Sequence, residues 1–519
     1  MIAYESKGTI LVKLPLCALC LTLTFSALAQ QVSLGHIDFP TSGSPEAQQH
    51  FVQGVLLLHS FEYADARDEF QSASKIQPAF AMAYWGEALT YTHPVWVQQD
   101  APAARAALAR LAPTREARLA LAPTEREKDY SRAVETLYGS GDKVARDIAY
   151  ANAMERLMKK YPDDLEAASL YAVALLGTCQ YDRQFSVYMR AAAVAEEVFA
   201  KNPQHPGAIH YLIHAYDDPI HAPLGLRPAR VYGKVAGSAS HAQHMPSHIF
   251  FALGMWDEAI AANEASVAVA DERVKRKGLA PTERNYHSLL WLEYAYLQEG
   301  RIADARQVLR GIQAPSPLAH MSATYAIETG DWDRSPADLD LPHANLLTNV
   351  SVLNVEGLVH LAHGRIDEAR ACAAAAKKQI DSPATETSGS SAHGSMPMPE
   401  APNTRKLAQI MLDQLDGALL YAEGKSAEAF AQLAQTASDE DALTFEFGPP
   451  TPLKPAHELY GELLLNAHRP QEARRQFELA LQRTPGRALS LRGLAKAQAE
   501  SGDGTAAALT LARLDAFSQ

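Results

Sequence analysis

The sequence predicts an all-α protein made of about ten helical hairpins stacked into a superhelix. Five residues with one set of spacings occur near both ends of the chain, and a glycine-to-alanine spacing recurs between them. The intervening stretches are rich in Ala, Leu, Glu and Arg and carry apolar residues at helical spacing. No convincing run of alternating β-branched residues interrupts them. A stack of this kind is quasi-one-dimensional and presents an extended concave surface.

The first repeated pattern spans one hairpin. Its two copies are Gly54, Ala66, Phe70, Ala73 and Pro78, and Gly461, Ala473, Phe477, Ala480 and Pro485. This spacing resembles the 34-residue tetratricopeptide repeat (TPR). The resemblance implies that small residues let two antiparallel helices approach closely and that the proline ends the second helix. It also implies a right-handed α-solenoid over nearly all of residues 45–515.

The second pattern marks the turn between the two helices of a hairpin. It consists of a glycine and, five residues later, an alanine: Gly254 and Ala259, Gly300 and Ala305, Gly364 and Ala369, and Gly424 and Ala429. Glycine suits the residue after a helix because a positive φ costs it little. The alanine suits a close contact between the helices.

Three segments interrupt the periodicity. Residues 93–130 contain several prolines, residues 219–239 form a longer path between histidine-rich helices, and residues 381–404 have the composition of a flexible linker. The predicted organisation is therefore a signal peptide (1–29), an N-terminal TPR-like superhelix with a histidine-rich groove (30–380), the linker (381–404) and a C-terminal TPR block (405–519).

The composition is that of a globular, acidic protein. Of the 519 residues, 47% are hydrophobic, and 47 Lys and Arg against 60 Asp and Glu give a formal net charge of −13. No basic footprint for a nucleic acid or an anionic membrane surface is visible, so neither is predicted as a partner.

The N-terminus predicts export. Lys7 and Lys13 precede an apolar run over residues 14–29 that closes on small residues, as in a secretory signal peptide. The run is about 16 residues long, short of the roughly 20 that a bilayer span needs, although a retained anchor is the alternative. We therefore expect an exported, periplasmic protein without a membrane span after cleavage.

Histidines are concentrated in one part of the chain. Residues 205–248 contain His205, His210, His214, His221, His241, His244 and His248. His210, His214 and Asp217 lie at i, i+4 and i+7, which places them on one face of a helix.

A second set of histidines follows about 30 residues later. His241, His244 and His248 lie at i, i+3 and i+7 and share a face if their segment is helical. Pro246 leaves this open, because it either starts a helix or lies within one.

The repeat register strengthens the case for a site. The resemblance to TPR proteins implies that these six residues line the concave groove, together with His287 and His320 from the next repeats. Neutral imidazoles with a carboxylate on converging helices suit one transition-metal ion, namely Zn, Fe, Cu, Ni or Mn. The alternatives are a polar groove for a peptide or small molecule, and packing without a ligand.

A proline-rich motif near the C-terminus supplies further candidates. Residues 447–465 read FGPPTPLKPAHELYGELLL. The register places Glu458, Glu462 and Arg492 on the concave surface, where an arginine–carboxylate bridge between adjacent helices is the simplest role. A carboxylate pair at i, i+4 could instead supply a ligand or a general base, if the superhelix curls Glu458 towards His210.

As a whole, the sequence resembles a bacterial family of exported TPR proteins, most specifically in HPGAIHYLIHAYDDP, HAQHMPSHIF and the proline-rich motif. The resemblance implies a scaffold whose groove binds a protein or peptide partner. Clustered histidines add a predicted metal site. The alternative function is a metal-dependent hydrolase or oxidoreductase on the same scaffold, with Glu458 or Glu462 as base.

Overall fold

A computed structural model describes residues 33–179, 182–280, 284–331, 345–383, 403–444 and 448–516. The predicted signal peptide and residues 384–402 of the predicted linker lie outside these ranges, so both stay predictions. Among the described helices, none combines the length and the hydropathy that a bilayer span requires.

The described residues form 25 α-helices. Their bounds are α1 Pro45–His59, α2 Tyr63–Ile76, α3 Ala81–Leu89, α4 Ala101–Leu111, α5 Arg115–Ala120, α6 Glu125–Leu137, α7 Lys143–Lys160, α8 Leu165–Gly177, α9 Phe185–Lys201, α10 Pro206–Tyr216, α11 Ala222–Val235, α12 Ser240–His244, α13 Pro246–Leu253, α14 Trp256–Lys277, α15 Tyr286–Gln298, α16 Ile302–Arg310, α17 Pro315–Thr329, α18 Leu346–Ala362, α19 Ile366–Asp381, α20 Thr404–Ala422, α21 Ser426–Asp441, α22 Ala456–Asn466, α23 Pro470–Arg483, α24 Ala488–Glu500 and α25 Gly504–Asp515.

Consecutive helices pack against one another along the described chain, as hairpins do. Strand structure there is confined to an antiparallel pair, β1 (Thr92–His93) and β2 (Gln98–Gln99), separated by a 3₁₀ turn at Pro94–Trp96. This pair lies in the first segment where the sequence loses its period. The prediction of an all-α superhelix of helical hairpins is confirmed.

The glycine-to-alanine pattern forms the hairpin turns as predicted. Each of the four glycines has a positive φ, between 69° and 81°. Each of the four alanines is fully buried, with 0% of its surface exposed. A larger side chain at the alanine would separate the two helices, and a β-branched residue at the glycine would be strained.

The other pattern produces a recurring contact between an aromatic ring and glycines. The Phe70 ring packs against Gly54 of its own hairpin and Gly86 of the next. Phe477 meets Gly461 and Gly493 in the same way near the C-terminus. The equivalence of the two contacts explains why these spacings recur 407 residues apart.

We expect the Gly493→Ala variant to be less stable than the unsubstituted protein by about 1 to 3 kcal/mol. A β-carbon on Gly493 would lie 2.3 Å from the Phe477 ring, which is fully buried and cannot move aside freely. Urea denaturation followed by circular dichroism measures the loss. Gly504→Ala is the matched control, because nothing lies within 4 Å of its added β-carbon. Equal stability of the two variants would contradict this packing account.

Two hydrophobic cores run through the stack. The larger contains buried residues from Leu34 to Tyr325, and the second contains residues from Ala319 to Ala497. The second core continues from α18 to α20, where a β-carbon on Gly357 would meet the Leu415 side chain at 2.5 Å. A domain boundary at residues 381–404 stays a prediction.

The histidine-bearing segment between α11 and α14 is helical but broken. Pro246 is the first residue of α13, so it starts a helix instead of interrupting one. The α12 helix ends at His244, and Met245 joins the two with φ −53° and ψ −36°, which are helical values. The chain therefore keeps an almost continuous helical path that presents His241, His244 and His248 to α10.

Candidate metal centre

Six histidine rings converge where α10, α12, α13 and α15 meet. His210 and His214 come from α10, the next three from α12 and α13, and His287 from the first turn of α15. The five on α10, α12 and α13 are at most 3% exposed, and His287 is half-buried. The six are His210, His214, His241, His244, His248 and His287; we call them the six-histidine array.

The array divides into two groups of three. In the first group, His210, His214 and His241 each offer a nitrogen within 4.8 Å of the other two. The His210 Nε2 and His241 Nε2 atoms are 3.2 Å apart. The His210 Nδ1 lies 2.7 Å from the main-chain oxygen of His59 and must donate a proton to it. A neutral His210 therefore carries a lone pair on Nε2.

The second group consists of His244, His248 and His287, whose nitrogens also lie within 4.8 Å of one another. The His244 Nδ1 donates to Asn263 Oδ1 at 2.6 Å, and the amide nitrogen of Asn263 donates to the Ala259 carbonyl, which fixes the amide orientation. The His248 Nδ1 donates to Asp217 at 2.5 Å. Both Nε2 atoms, 3.1 Å apart, then carry lone pairs that face each other.

Burial favours the neutral form of three of these rings. It lowers the pKa of His210 and of His287 to about 3, with the neighbouring histidines acting in the same direction. Burial also lowers the pKa of His214, again reinforced by His210 and His248. The His214 Nε2 is buried without a hydrogen-bond partner among the described residues. A buried polar atom of this kind is costly unless it has a ligand.

Aromatic side chains enclose the array. The Phe61 ring lies 4.2 Å from that of His210, and Trp96 lies 5.7 Å from His241. On the other side, the Trp291 ring is 4.3 Å from His248 and 4.9 Å from His244. These ring contacts limit the rotation of the histidine side chains, as the surroundings of metal-binding histidines commonly do.

The array has the donor set and spacing of a transition-metal centre. A tetrahedral ion with bonds of about 2.0 to 2.1 Å to nitrogen holds neighbouring nitrogens about 3.3 Å apart. The two short separations, 3.1 and 3.2 Å, are close to that value. In addition, an acceptor outside the array binds the Nδ1 proton of His210, His244 and His248 and so fixes their tautomers. Each of these three rings therefore presents its Nε2 lone pair inward.

The structure places Asp217 outside the converging nitrogens. The sequence analysis treated it as a ligand on the same helix face as His210 and His214. However, α10 ends at Tyr216, and Asp217 has a non-helical ψ of 68°. Its carboxylate instead accepts from His248 and orients that ring.

His320, another predicted groove residue, belongs to neither group. It lies half-buried in α17, and burial lowers its pKa to about 4. His287, also predicted for the groove, completes the second group of the array. Counting repeat positions in the sequence could not show that His287 joins the array and His320 does not, because the count places both at inward positions of successive repeats.

A third buried group was not anticipated from the sequence. The Glu166 carboxylate lies between His59 Nε2 at 2.7 Å and His205 Nε2 at 3.0 Å. Burial opposes its ionisation, yet the two histidines hold the pKa of Glu166 well below its usual range. The His205 Nδ1 accepts the Ala208 amide proton, so its Nε2 carries a proton, and this atom lies 3.2 Å from the Ser169 hydroxyl oxygen. The Glu166 Oε1 atom is buried without a hydrogen-bond partner among the described residues.

The C-terminal candidates lie in a separate buried ion network. Arg487 binds Glu458 through two nitrogens, at 2.7 and 2.8 Å, and Glu328 at 2.5 Å. Its guanidinium also donates to the Tyr294 hydroxyl at 2.9 Å. Arg492, predicted to form the bridge, is exposed. The buried bridge to Glu458 is therefore made by Arg487, in the turn before α24.

Lys454 joins this network from the proline-rich motif. Its ammonium lies 2.6 Å from Glu462 and 3.6 Å from Glu458. Burial would raise the pKa of Glu458, but Arg487 and Lys454 lower it to about 2. Ser490 also donates to the Glu458 carboxylate. Because ion pairs hold both oxygens and lower its pKa, Glu458 is poorly suited to accept a proton as a general base.

The proline-rich motif nevertheless contacts Trp291, which packs on the array, as expected if the superhelix curls. A β-carbon on Gly448 would lie 2.3 Å from the Trp291 ring, and Trp256 Nε1 donates to the Gly486 carbonyl at 3.1 Å. Between these contacts lies a crevice of about 30 Å³. Its walls include Asp217 and His248 on one side and Arg483 on the other.

Comparisons with known proteins show no match to any protein-family model or curated protein. Solved structures share the helical fold at low identity. They include yeast Tom70 (11% identity, 89% of this chain and 90% of that chain, TM-score 0.31), the TPR domain of P58(IPK) (14%, 88% and 98%, 0.22) and a Rap protein complexed with competence and sporulation factor (14%, 83% and 99%, 0.34). Likeness at this level carries no inference about what this chain binds.

Proposed function

We propose that this chain is a transition-metal protein whose six-histidine array is the binding site. One observation carries the proposal: His244 and His248 direct two Nε2 lone pairs at each other across 3.1 Å, while their Nδ1 protons are committed to Asn263 and Asp217. Two facing lone pairs repel unless a cation or a proton lies between them. Imidazole nitrogens suit Zn, Cu, Fe, Ni or Mn.

A proton is the competing explanation. It would make His248 or His244 an imidazolium, which Asp217 could stabilise as a buried ion pair. Both rings are at most 2% exposed, and burial at that depth opposes a positive charge. The His214 Nε2, which has no hydrogen-bond partner among the described residues, gains nothing from that proton, whereas a metal ion would use it.

The proposal places the metal centre on a scaffold exported to the periplasm, on the strength of the signal-peptide pattern in residues 1–29. A bound ion would supply Lewis acidity or, if it changes oxidation state, electron transfer. The alternative of a peptide groove at Glu458 and Arg492 has weaker support, because Glu458 is buried in ion pairs.

The test is elemental analysis of protein purified without a histidine tag and equilibrated in turn with each of the five metals. We expect at least one equivalent of metal, lost in the His244→Ala/His248→Ala double variant. The exposed His468→Asn substitution is the matched control and should retain the metal. Asp217→Asn should keep the ligands but weaken affinity about 10- to 100-fold, since it removes the charge that orients His248. Absence of tightly bound metal with all five would refute the proposal.

A further inference from the structure

We infer that the six-histidine array holds two metal ions, three histidines to each, as a dinuclear centre that binds a small anion. This inference rests on the proposed function and goes beyond its single predicted ion. It follows from how the nitrogens divide, from the charge around them and from the crevice that leads to them.

The nitrogens separate into two complete sets. Within each three-histidine group, one nitrogen of each ring lies within 4.8 Å of the corresponding nitrogens of the other two. The six rings together do not meet this condition. Three histidines suffice to bind a catalytic-type transition-metal ion, which then keeps an open coordination position. One ion bound by all six would require nitrogens closer together than these.

The two groups are nonetheless adjacent. Between them, the His214 and His248 rings are 5.8 Å apart, and those of His241 and His244 are 6.1 Å apart. Ring separations inside the groups cover the same range, from 4.5 Å for His244 and His287 to 6.4 Å for His214 and His241. Ions held by neighbouring groups of this kind can share a ligand, as in two-metal sites.

Charge balance identifies the class of that ligand. Six neutral imidazoles contribute no negative charge to the ions they bind. The nearest carboxylates are Asp217, bonded to His248, and Glu62, which accepts the His241 amide proton at 3.0 Å. Together these two carboxylates offset at most two of the four positive charges of two divalent ions. Two buried divalent ions therefore favour an additional anion such as hydroxide, for which azide is the usual probe.

A path for a small anion reaches the second group. The crevice that ends at His248 shares Gly448, Arg483 and Thr484 with a second crevice of about 50 Å³ beneath the proline-rich motif. Arg483 and Arg487 line the first crevice together with Asp217 and Asp218, so a small anion that reaches His248 meets charges of both signs.

The experiment combines metal stoichiometry with spectroscopy of the full chain loaded with copper(II). We expect two equivalents in the unsubstituted protein and about one in each half-site variant, His214→Ala and His287→Gln. Because coupled copper(II) ions lose paramagnetic signal, the spin count should fall below the copper content only in the unsubstituted protein. Azide should produce a new charge-transfer band there.

The outcomes separate the two proposals. One equivalent in the unsubstituted protein, abolished by either substitution, would overturn the dinuclear centre while leaving a metal protein. No bound metal would remove the proposed function as well. Two equivalents without any response to azide would overturn the anion site. Circular dichroism reports whether each variant folds. Even if a variant fails to fold, the metal stoichiometry of the unsubstituted protein decides whether the array holds one ion or two.

Discussion

The Arg487→Met variant is expected to lose about 3 to 5 kcal/mol of its free energy of unfolding, the usual cost of removing one partner from a buried charge network. Arg487 is fully buried and is the residue that joins α15, α17 and α22. Without its guanidinium, Glu458 and Glu328 remain buried near each other. Lys454 compensates only one of them, since it lies on the Glu458 side.

The exposed Arg492, five residues later on α24, supplies the matched control. An Arg492→Met substitution should change the free energy of unfolding by no more than about 0.5 kcal/mol. Urea denaturation followed by tryptophan fluorescence suits the comparison, because Trp256 contacts Gly486, the residue before Arg487, and Trp291 contacts Gly448 of the proline-rich motif. If the two variants were equally stable, the network would not be what holds the C-terminal repeats to the array.

The pair Arg487 and Arg492 also shows what a repeat register can predict. The register requires only local spacing, so it correctly placed the glycine turns, the buried alanines and the Phe477 contacts. It could not identify Arg487, which lies in the turn between α23 and α24. That side chain is buried among residues from α15 and α17, including Tyr294 and Glu328, which lie 193 and 159 positions earlier.

The same limit applies to the candidate metal site. Spacing at i and i+4 grouped His210 with His214 and His244 with His248, and each pair lies within one set of converging nitrogens. It misplaced Asp217, since counting assumed that α10 continued beyond Tyr216. The division into two groups and the acceptors for the Nδ1 protons depend on tertiary packing. The His59 carbonyl, 151 residues from His210, has no signature in a single sequence.

Acid is expected to destabilise the metal-free protein through histidines outside the array. Burial lowers the pKa of His93 and of His320 to about 4. Unfolded histidines take up a proton near pH 6.5, whereas these two stay neutral in the native state until about pH 4. The unfolded state therefore binds more protons over this window. Stability present above pH 6.5 is lost as the pH falls, by about 2 to 3 kcal/mol for each ring.

The native contacts of the His93 ring suit its neutral form. It stacks on Tyr63 with ring centroids 3.8 Å apart, and its Nδ1 donates to Gln98 at 3.0 Å. His93→Gln and His320→Gln should each reduce the slope of stability against pH by up to about 1.4 kcal/mol per pH unit between pH 6 and 4.5. The measurement is urea denaturation of chelator-treated protein at half-unit pH steps.

Chelation matters because a bound metal would add its own acid sensitivity, as protons compete for the six ligand nitrogens. His468→Asn is the control, because it replaces an exposed histidine and leaves the buried rings unchanged. A slope that falls equally in all three variants would contradict the assignment to burial. If instead the slope changes only in metal-loaded protein, the acid sensitivity belongs to the six-histidine array, and His93 and His320 serve packing alone.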